Sequence, residues 1–224
     1  MTKPFAIAID GPSGAGKSTI ARILARRLGF LYVDTGALYR TVGHYALTKG
    51  VQPGDAAAVE PLLEGLELAL RYVEGEQHVF ANGEDVSALI RTPEVSMAAS
   101  AVSALPAVRR FLFQMQQDMA AANSVIMDGR DIGTVVLPDA GLKVFLTASA
   151  EERARRRHVE LQEKGVDTTY DEVLADMKKR DYDDSHRAAA PLRPAEDAVT
   201  VDTTGLSLDE AIARLEQLAR ERLG

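Results

Sequence analysis

Cysteine is absent from the 224 residues, which excludes disulfides, thiolate metal sites and cysteine nucleophiles. Histidine is scarce, with four residues and no H-E-x-x-H arrangement, and this argues against a zinc hydrolase. Asparagine occurs only at Asn82 and Asn123, followed by Gly and Ser, so the N-K-x-D-type guanine reader of a GTPase is missing. Long apolar runs are missing as well. The opening MTKPFAIAID meets an acid at Asp10 after a short apolar run, without the longer apolar region or the cleavage site of a signal peptide. Val95 to Val108, the most apolar longer stretch, is rich in Ala and Ser, is flanked by Glu94 and interrupted by Pro106, and falls short of a membrane span. A cytoplasmic protein is expected. Positive charge is in deficit: the formal net charge of −7 argues against non-specific nucleic-acid binding, which draws most of its affinity from a basic surface.

What remains is ordinary for a globular chain, with 46% hydrophobic and 26% charged residues. The length suits one full domain with a small insertion, and it is short for a motor or transporter ATPase. Arginine outnumbers lysine by 19 to 7. Genomic base composition accounts for that excess as readily as a set of guanidinium forks for phosphates does, and only position can decide.

Four short apolar runs alternate with helical patterns. Phe5–Ile9 leads into Asp10-Gly11, a Gly-rich turn and a helix from about Lys17 to Leu28. Ser124–Met127 ends in Asp128-Gly129, Leu142–Leu146 precedes a charged helix from Ser149 to about Lys164, and Ala198–Val201 precedes a C-terminal helix. Short buried strands alternating with helices predict an α/β fold, a doubly wound parallel sheet flanked by helices. Between about Leu70 and Ile90 the pattern changes. Arg71-Tyr-Val and His78-Val-Phe are β-prone runs separated by Glu74-Gly75-Glu76, and Asn82-Gly83 is a tight-turn signal, so a small antiparallel insertion is expected there.

The segment Gly11-Pro12-Ser13-Gly14-Ala15-Gly16-Lys17-Ser18-Thr19 contains G-x-x-x-x-G-K-[ST] in full, after a strand and at the opening of a helix. Glycines there let successive N–H groups turn towards phosphate oxygens, and the helix dipole favours an anion. Lys17 would bridge the β- and γ-phosphates of ATP, with Ser18 on Mg²⁺. With GTPases and large ATPases set aside, a small-molecule kinase is the class left.

Several further segments have both a plain and a chemical reading. In Asp34-Thr35-Gly36-Ala37-Leu38-Tyr39-Arg40, Thr35 serves equally as an N-cap, Tyr39 as core and Arg40 as a solvated charge, or the three flank a monophosphate. In Met127-Asp128-Gly129-Arg130-Asp131, Asp128 would support the metal through water, Arg130 clamp phosphate and Asp131 accept from a base amino group; alternatively Arg130 and Asp131 pair with each other on a surface turn. Arg153, Arg156 and Arg157 share a helix face, as do Arg180, Asp184 and Arg187, either as phosphate and sugar ligands or as ordinary surface ladders. A triphosphate and a monophosphate brought into line concentrate more negative charge than one Mg²⁺ and one lysine neutralise, which favours the ligand reading of the arginines.

The segments IDGPSGAGKST, VDTGALYR, GEDVSALIRTPEV, MDGRDIGTVVLPDA, SAEERARRR with LQEKG, and KKRDYDDSHRAAAPLRPAEDA resemble those of bacterial cytidylate kinases in the same order, over nearly the whole chain. The region around residues 70–90 is similar to the extra domain of the longer bacterial form. The resemblance implies a P-loop nucleoside monophosphate kinase acting on ATP and CMP or dCMP with Mg²⁺, cytoplasmic and monomeric, without nucleic acid or membrane as partner. It implies a core (1–34, 123–148 and 188–224), a monophosphate-binding region with its small insertion (35–122) and lid and sugar-binding helices (149–187). Arg40 and Arg130, helped by Thr35 and Tyr39, would bind the CMP phosphate. Ser100, Arg109 and Asp131 would read the cytosine edge, and Arg180, Asp184 and Arg187 would hold the sugar. Arg153 and Arg157 match lid arginines that reach the triphosphate. Where this chain has Thr35 some members carry Ser, which keeps the hydroxyl. Agreement is weakest over residues 51–82, and no role is assigned there.

Overall fold

The computed structural model describes residues 4–73 and 76–224. Two compact units divide the chain: one takes the sequence up to Tyr32 together with Asn123–Gly224, the other Val33–Ala122.

The first unit is built on β1 (Ala6–Asp10), α1 (Lys17–Leu28) and the start of β2 (Leu31–Asp34), the strand along which the chain leaves it. The second unit continues with α2 (Thr35–Thr48), α3 (Ala56–Val59), a 3₁₀ turn (Glu60–Gly65), β3 (Leu68–Val73), β4 (Glu76–Ala81), β5 (Glu84–Asp85), α4 (Pro93–Ser103) and α5 (Pro106–Ala122). The chain returns to the first unit through β6 (Val125–Gly129), a π turn (Ile132–Val136), β7 (Leu142–Thr147), α6 (Ala150–Glu163), α7 (Tyr170–His186), β8 (Val199–Asp202) and α8 (Leu208–Leu223).

The main sheet runs β2-β6-β1-β7-β8, and β1 pairs in parallel with both β6 and β7, as β7 does with β8. Ile7, Ala8 and Ile9 are wholly buried, which is why β1 reads as a continuous apolar run rather than an alternating one. Its register sets Ile9 opposite Asp128 and Asp10 opposite Gly129, so two acids finish adjacent strands at the carboxyl edge where ligands of such sheets bind. The core beneath them joins Ile7 and Ile9 to Ile20 and Leu24 of α1, Ile126, Leu146, and Ile212 and Leu215 of α8. Residues 211, 212, 215, 218 and 219 of α8 are buried, the three-to-four spacing of a single apolar stripe. Capping boxes start α7 at Thr169/Glu172 and α8 at Ser207/Glu210.

In the second unit α2, α4 and α5 pack around Leu38, Val42, Val102, Val108 and Leu112, and Val79 and Ala81 of the small antiparallel sheet β3-β4-β5 join the same core. The expected insertion is therefore present, with Asn82 (φ 50°) and Gly83 (φ 84°) in the left-handed conformations of the tight turn before β5. Of the connection expected at Glu74-Gly75-Glu76, positions 74 and 75 lie outside the described residues. The apolar stretch 95–108 is divided between α4 and α5, and among the described residues no helix is long and apolar enough to cross a membrane.

Candidate active site

The loop after β1 owes its shape to positions that tolerate no side chain. A Cβ on Gly11 (φ 148°) would collide with the carbonyl oxygen of Leu146, and one on Gly14 (φ 77°) would lie 2.9 Å from Met177 Cε. Gly16, itself left-handed, starts α1 without a side-chain cap, which leaves the first amides of the helix to an outside acceptor. Lys17 is the first helical residue. It is 6% exposed, and its Nζ donates to the carbonyl of Pro12 at 2.8 Å. Burial, and then the charge of Arg130, push its pKa well below the usual lysine value, against the pull of Asp128, Asp10 and Asp184.

Ser18 Oγ donates to Asp128 Oδ2 at 2.7 Å, and the Tyr32 hydroxyl donates to Oδ1 of the same carboxylate at 3.1 Å. A hydroxyl and a carboxylate beside the loop are the hard oxygen donors that Mg²⁺ takes together with phosphates and water. Among the described residues no group of three or more His, Cys, Asp or Glu is placed to hold a metal ion.

Asp10 does not face the helix that follows it. Its two oxygens accept from the backbone N–H of Ile132 at 2.8 Å and of Gly133 at 2.7 Å, tethering the segment just after Arg130-Asp131. Burial outweighs those two hydrogen bonds and, with the nearby Asp131 charge, raises the Asp10 pKa to about 6.

Arg130 and Asp131 do not pair with each other as a surface turn. Arg130 Nε donates to Asp184 Oδ2 at 2.7 Å, while Arg187 reaches Asp131 Oδ1 at 3.5 Å. Both acids are about 4% exposed, so the surface Arg–Asp–Arg ladder is ruled out: Asp184 is buried against a partner 54 residues away in sequence. Burial raises the Asp184 carboxyl, but Arg130, Arg180 and Arg187 more than offset this and hold it below the usual carboxylate range. Arg187 is also not on the helix face. It follows α7 with an extended backbone (φ −62°, ψ 140°), and its Nε donates to the carbonyl of Ala190.

The arginines of α6 likewise separate. Arg153, with a side chain only 5% exposed, forks onto Asp181 of α7 and donates to the carbonyls of Ser13 and Ala148. Arg180 donates to the Ser13 hydroxyl at 3.3 Å. Two guanidiniums thus touch the glycine-rich loop itself. Arg156 binds Glu152 and the carbonyl of Thr203, and Arg157, 31% exposed, pairs with Glu160.

Within the second unit, Asp34 rather than Thr35 caps α2. Its Oδ1 accepts from Ala37 N at 2.9 Å, so Thr35 becomes the first residue of the helix and is 2% exposed. Asp34 Oδ2 binds Arg40 NH2 at 2.7 Å, and Arg40 Nε is buried with no hydrogen-bond partner among the described residues. Arg109 lies with its guanidinium carbon 5.9 Å from the Tyr39 ring centre and donates to the carbonyl of Ser103, whose hydroxyl donates to the carbonyl of Ser100. The fold brings Tyr39, Ser100 and Arg109 into one neighbourhood.

The roles of Asp10, Tyr32, Asp34 and Asp181 were not assigned from the sequence. An acid closing a strand is a visible signal for Asp10 and Asp34; nothing local marks Tyr32 or Asp181.

A glycine-rich strand-to-helix loop, a buried lysine at its end and a Ser–Asp pair beside it define a P-loop phosphotransferase. Residues 7–221 match the cytidylate kinase family. The chain is 51% identical to a cytidylate kinase of Caldicellulosiruptor bescii over 216 residues, 96% of each chain. It is equally identical to one of Geobacter sulfurreducens over 216 residues, 96% of this chain and 93% of that one. Among solved structures, an uncharacterized protein of Eubacterium ventriosum aligns over 98% of this chain and 99% of its own with a TM-score of 0.56 at 14% identity, a likeness of fold alone. The chain belongs to the cytidylate kinase family.

Proposed function

We propose that this chain transfers the γ-phosphate of ATP to CMP or dCMP, giving ADP and CDP or dCDP. One observation carries the reading: a complete P-loop, with Lys17 buried and Ser18 bound to Asp128, in a chain about half identical over nearly its full length to curated cytidylate kinases. A phosphate oxygen of CMP attacks the γ-phosphorus in line as the bond to the ADP oxygen breaks. That oxygen is already ionised, so no strong general base is needed.

In this reading the loop amides from Gly11 to Thr19 and Lys17 bind the triphosphate. Ser18 would hold Mg²⁺ directly and Asp128 through water; the ion neutralises charge on the phosphates. Arg153 and Arg157 stabilise the charge that spreads during transfer, Arg153 from a preset position against the loop. Arg130 and Arg40, with Thr35 and Tyr39, bind the acceptor phosphate; the buried, unpartnered Nε of Arg40 supports this, since such a donor is costly unless a ligand meets it. Ser100, Arg109 and Asp131 read the base. Arg180, Asp184 and Arg187 hold the sugar, and Asp184, kept ionised, accepts from the 3′-hydroxyl that CMP and dCMP share. A core, a monophosphate-binding region and a helical lid over 149–187, working as a cytoplasmic monomer on free nucleotides, complete the proposal.

The test is ADP formation with ATP·Mg²⁺ against CMP, dCMP, UMP, a sugar acid and a coenzyme precursor. CMP and dCMP should both be turned over and lead the panel. ATP binding without transfer to any acceptor, or preference for a non-nucleotide, would overturn the reading.

A further inference from the structure

One side chain of the inserted sheet hydrogen-bonds the backbone at the start of α2. Gln77, the second residue of β4, turns its amide onto the backbone of Asp34: Oε1 accepts from Asp34 N at 2.9 Å and Nε2 donates to Asp34 O at 3.4 Å. A primary amide carries the donor and acceptor of a peptide group, so the contact imitates one rung of a β-ladder between residues 43 apart. Asp34 passes the constraint on, because its carboxylate is divided between Ala37 N and Arg40. The sequence of contacts is therefore β4, Asp34, Arg40.

Attachment of the sheet does not need this contact. Val79 and Ala81 already bury against the core that contains Leu38 and Val42 of α2. Gln77 is only half buried, so water can replace its hydrogen bonds at little cost in stability, but water cannot reproduce their direction. We propose that Gln77 is a positioning residue for the acceptor phosphate: it fixes the α2 cap so that Arg40 and Thr35 meet a nucleoside monophosphate in one orientation. The inserted sheet then serves acceptor binding rather than folding alone. The inference rests on the reading of Arg40 as a phosphate ligand.

Gln77→Leu keeps much of the side-chain volume and removes both hydrogen bonds. Measured beside Arg40→Ala, it should raise KM for CMP about three- to tenfold, the size of one neutral hydrogen bond. The KM for ATP and the melting temperature should stay at wild-type values. An unchanged KM for CMP, or a lower melting temperature with normal kinetics, overturns the inference, and a raised KM in Arg40→Ala then leaves the phosphate reading standing. If Arg40→Ala itself leaves KM for CMP unchanged, the phosphate reading fails and the inference with it. Gln77→Ala, which introduces no bulk, answers the same question should the leucine variant fold poorly.

Discussion

Two helices follow the first two strands, and they begin in opposite ways. α1 starts from a left-handed glycine, with no side-chain cap, no acid in its first turn and a lysine as its first residue. α2 starts from Asp34, whose carboxylate covers an amide of the first turn and binds Arg40. With glycine at the cap, the missing side-chain bond forgoes only about a few tenths of a kcal/mol, and a cation beside the positive end of the helix dipole adds about 0.3–1 kcal/mol to the cost. In the proposed reading the first helix takes its anion from a bound phosphate; the second supplies its own carboxylate, which also binds Arg40. The aspartates that end the two strands divide in the same way. Asp34 caps its own helix, whereas Asp10 turns away from α1 and tethers Ile132 and Gly133.

The sharpest break of this comparison is Lys17→Met. If the start of α1 is built for an outside anion, kcat should fall at least tenfold, about 1.4 kcal/mol or more in barrier. The melting temperature should hold, because the substitution removes a buried cation whose burial already opposes its charge. A folded variant that keeps more than about a tenth of wild-type kcat would sink the idea.

A smaller effect separates the two strand-end acids by pH. Asp10 titrates near 6 in the fold against 3.8 unfolded, so its contribution to stability is whole below about pH 4 and is lost as pH rises through about 6. Relative to Asp10→Asn, which does not titrate, wild type should lose about 2 kcal/mol of unfolding free energy between pH 4.5 and 7.5. Denaturant midpoints of both proteins at the two pH values measure this. A gap between them that does not move with pH would show that burial does not control Asp10.

The least expected change is at the α2 cap. Asp34→Ala should cost about 0.5–2 kcal/mol and lower the melting temperature by a few degrees. Asp34→Asn keeps a good capping side chain but weakens the hold on Arg40, so it should melt near wild type with a raised KM for CMP. Equal melting temperatures for wild type and Asp34→Ala would contradict the capping role.

Where a feature depends on neighbours in sequence, the chain displays it openly. α1 spans Lys17–Leu28 as the periodicity predicts, and the Asn82-Gly83 turn forms where its left-handed residues stand. β2 was less legible, since Leu31–Asp34 is short and merges into the helical pattern after it. Thr35 reads from the sequence as one possible cap of α2, but Asp34 and Thr35 are both good capping residues, and only the backbone turn chooses Asp34 between them.

The sequence by itself determined the reaction class, because a P-loop needs its glycines, lysine and serine at consecutive positions and their conformations are largely local. Tertiary structure alone decided which arginines differ from one another. Arg153 and Arg157 lie four residues apart on α6, yet one is buried on Asp181 and the carbonyl of Ser13 while the other pairs with its neighbour Glu160 at the surface. Likewise Asp184 is bound to Arg130 across 54 residues, and Asp34 to Gln77 across 43. The environment of a charge depends on which distant side chains the fold brings within hydrogen-bond reach, and spacing along one helix carries no record of them.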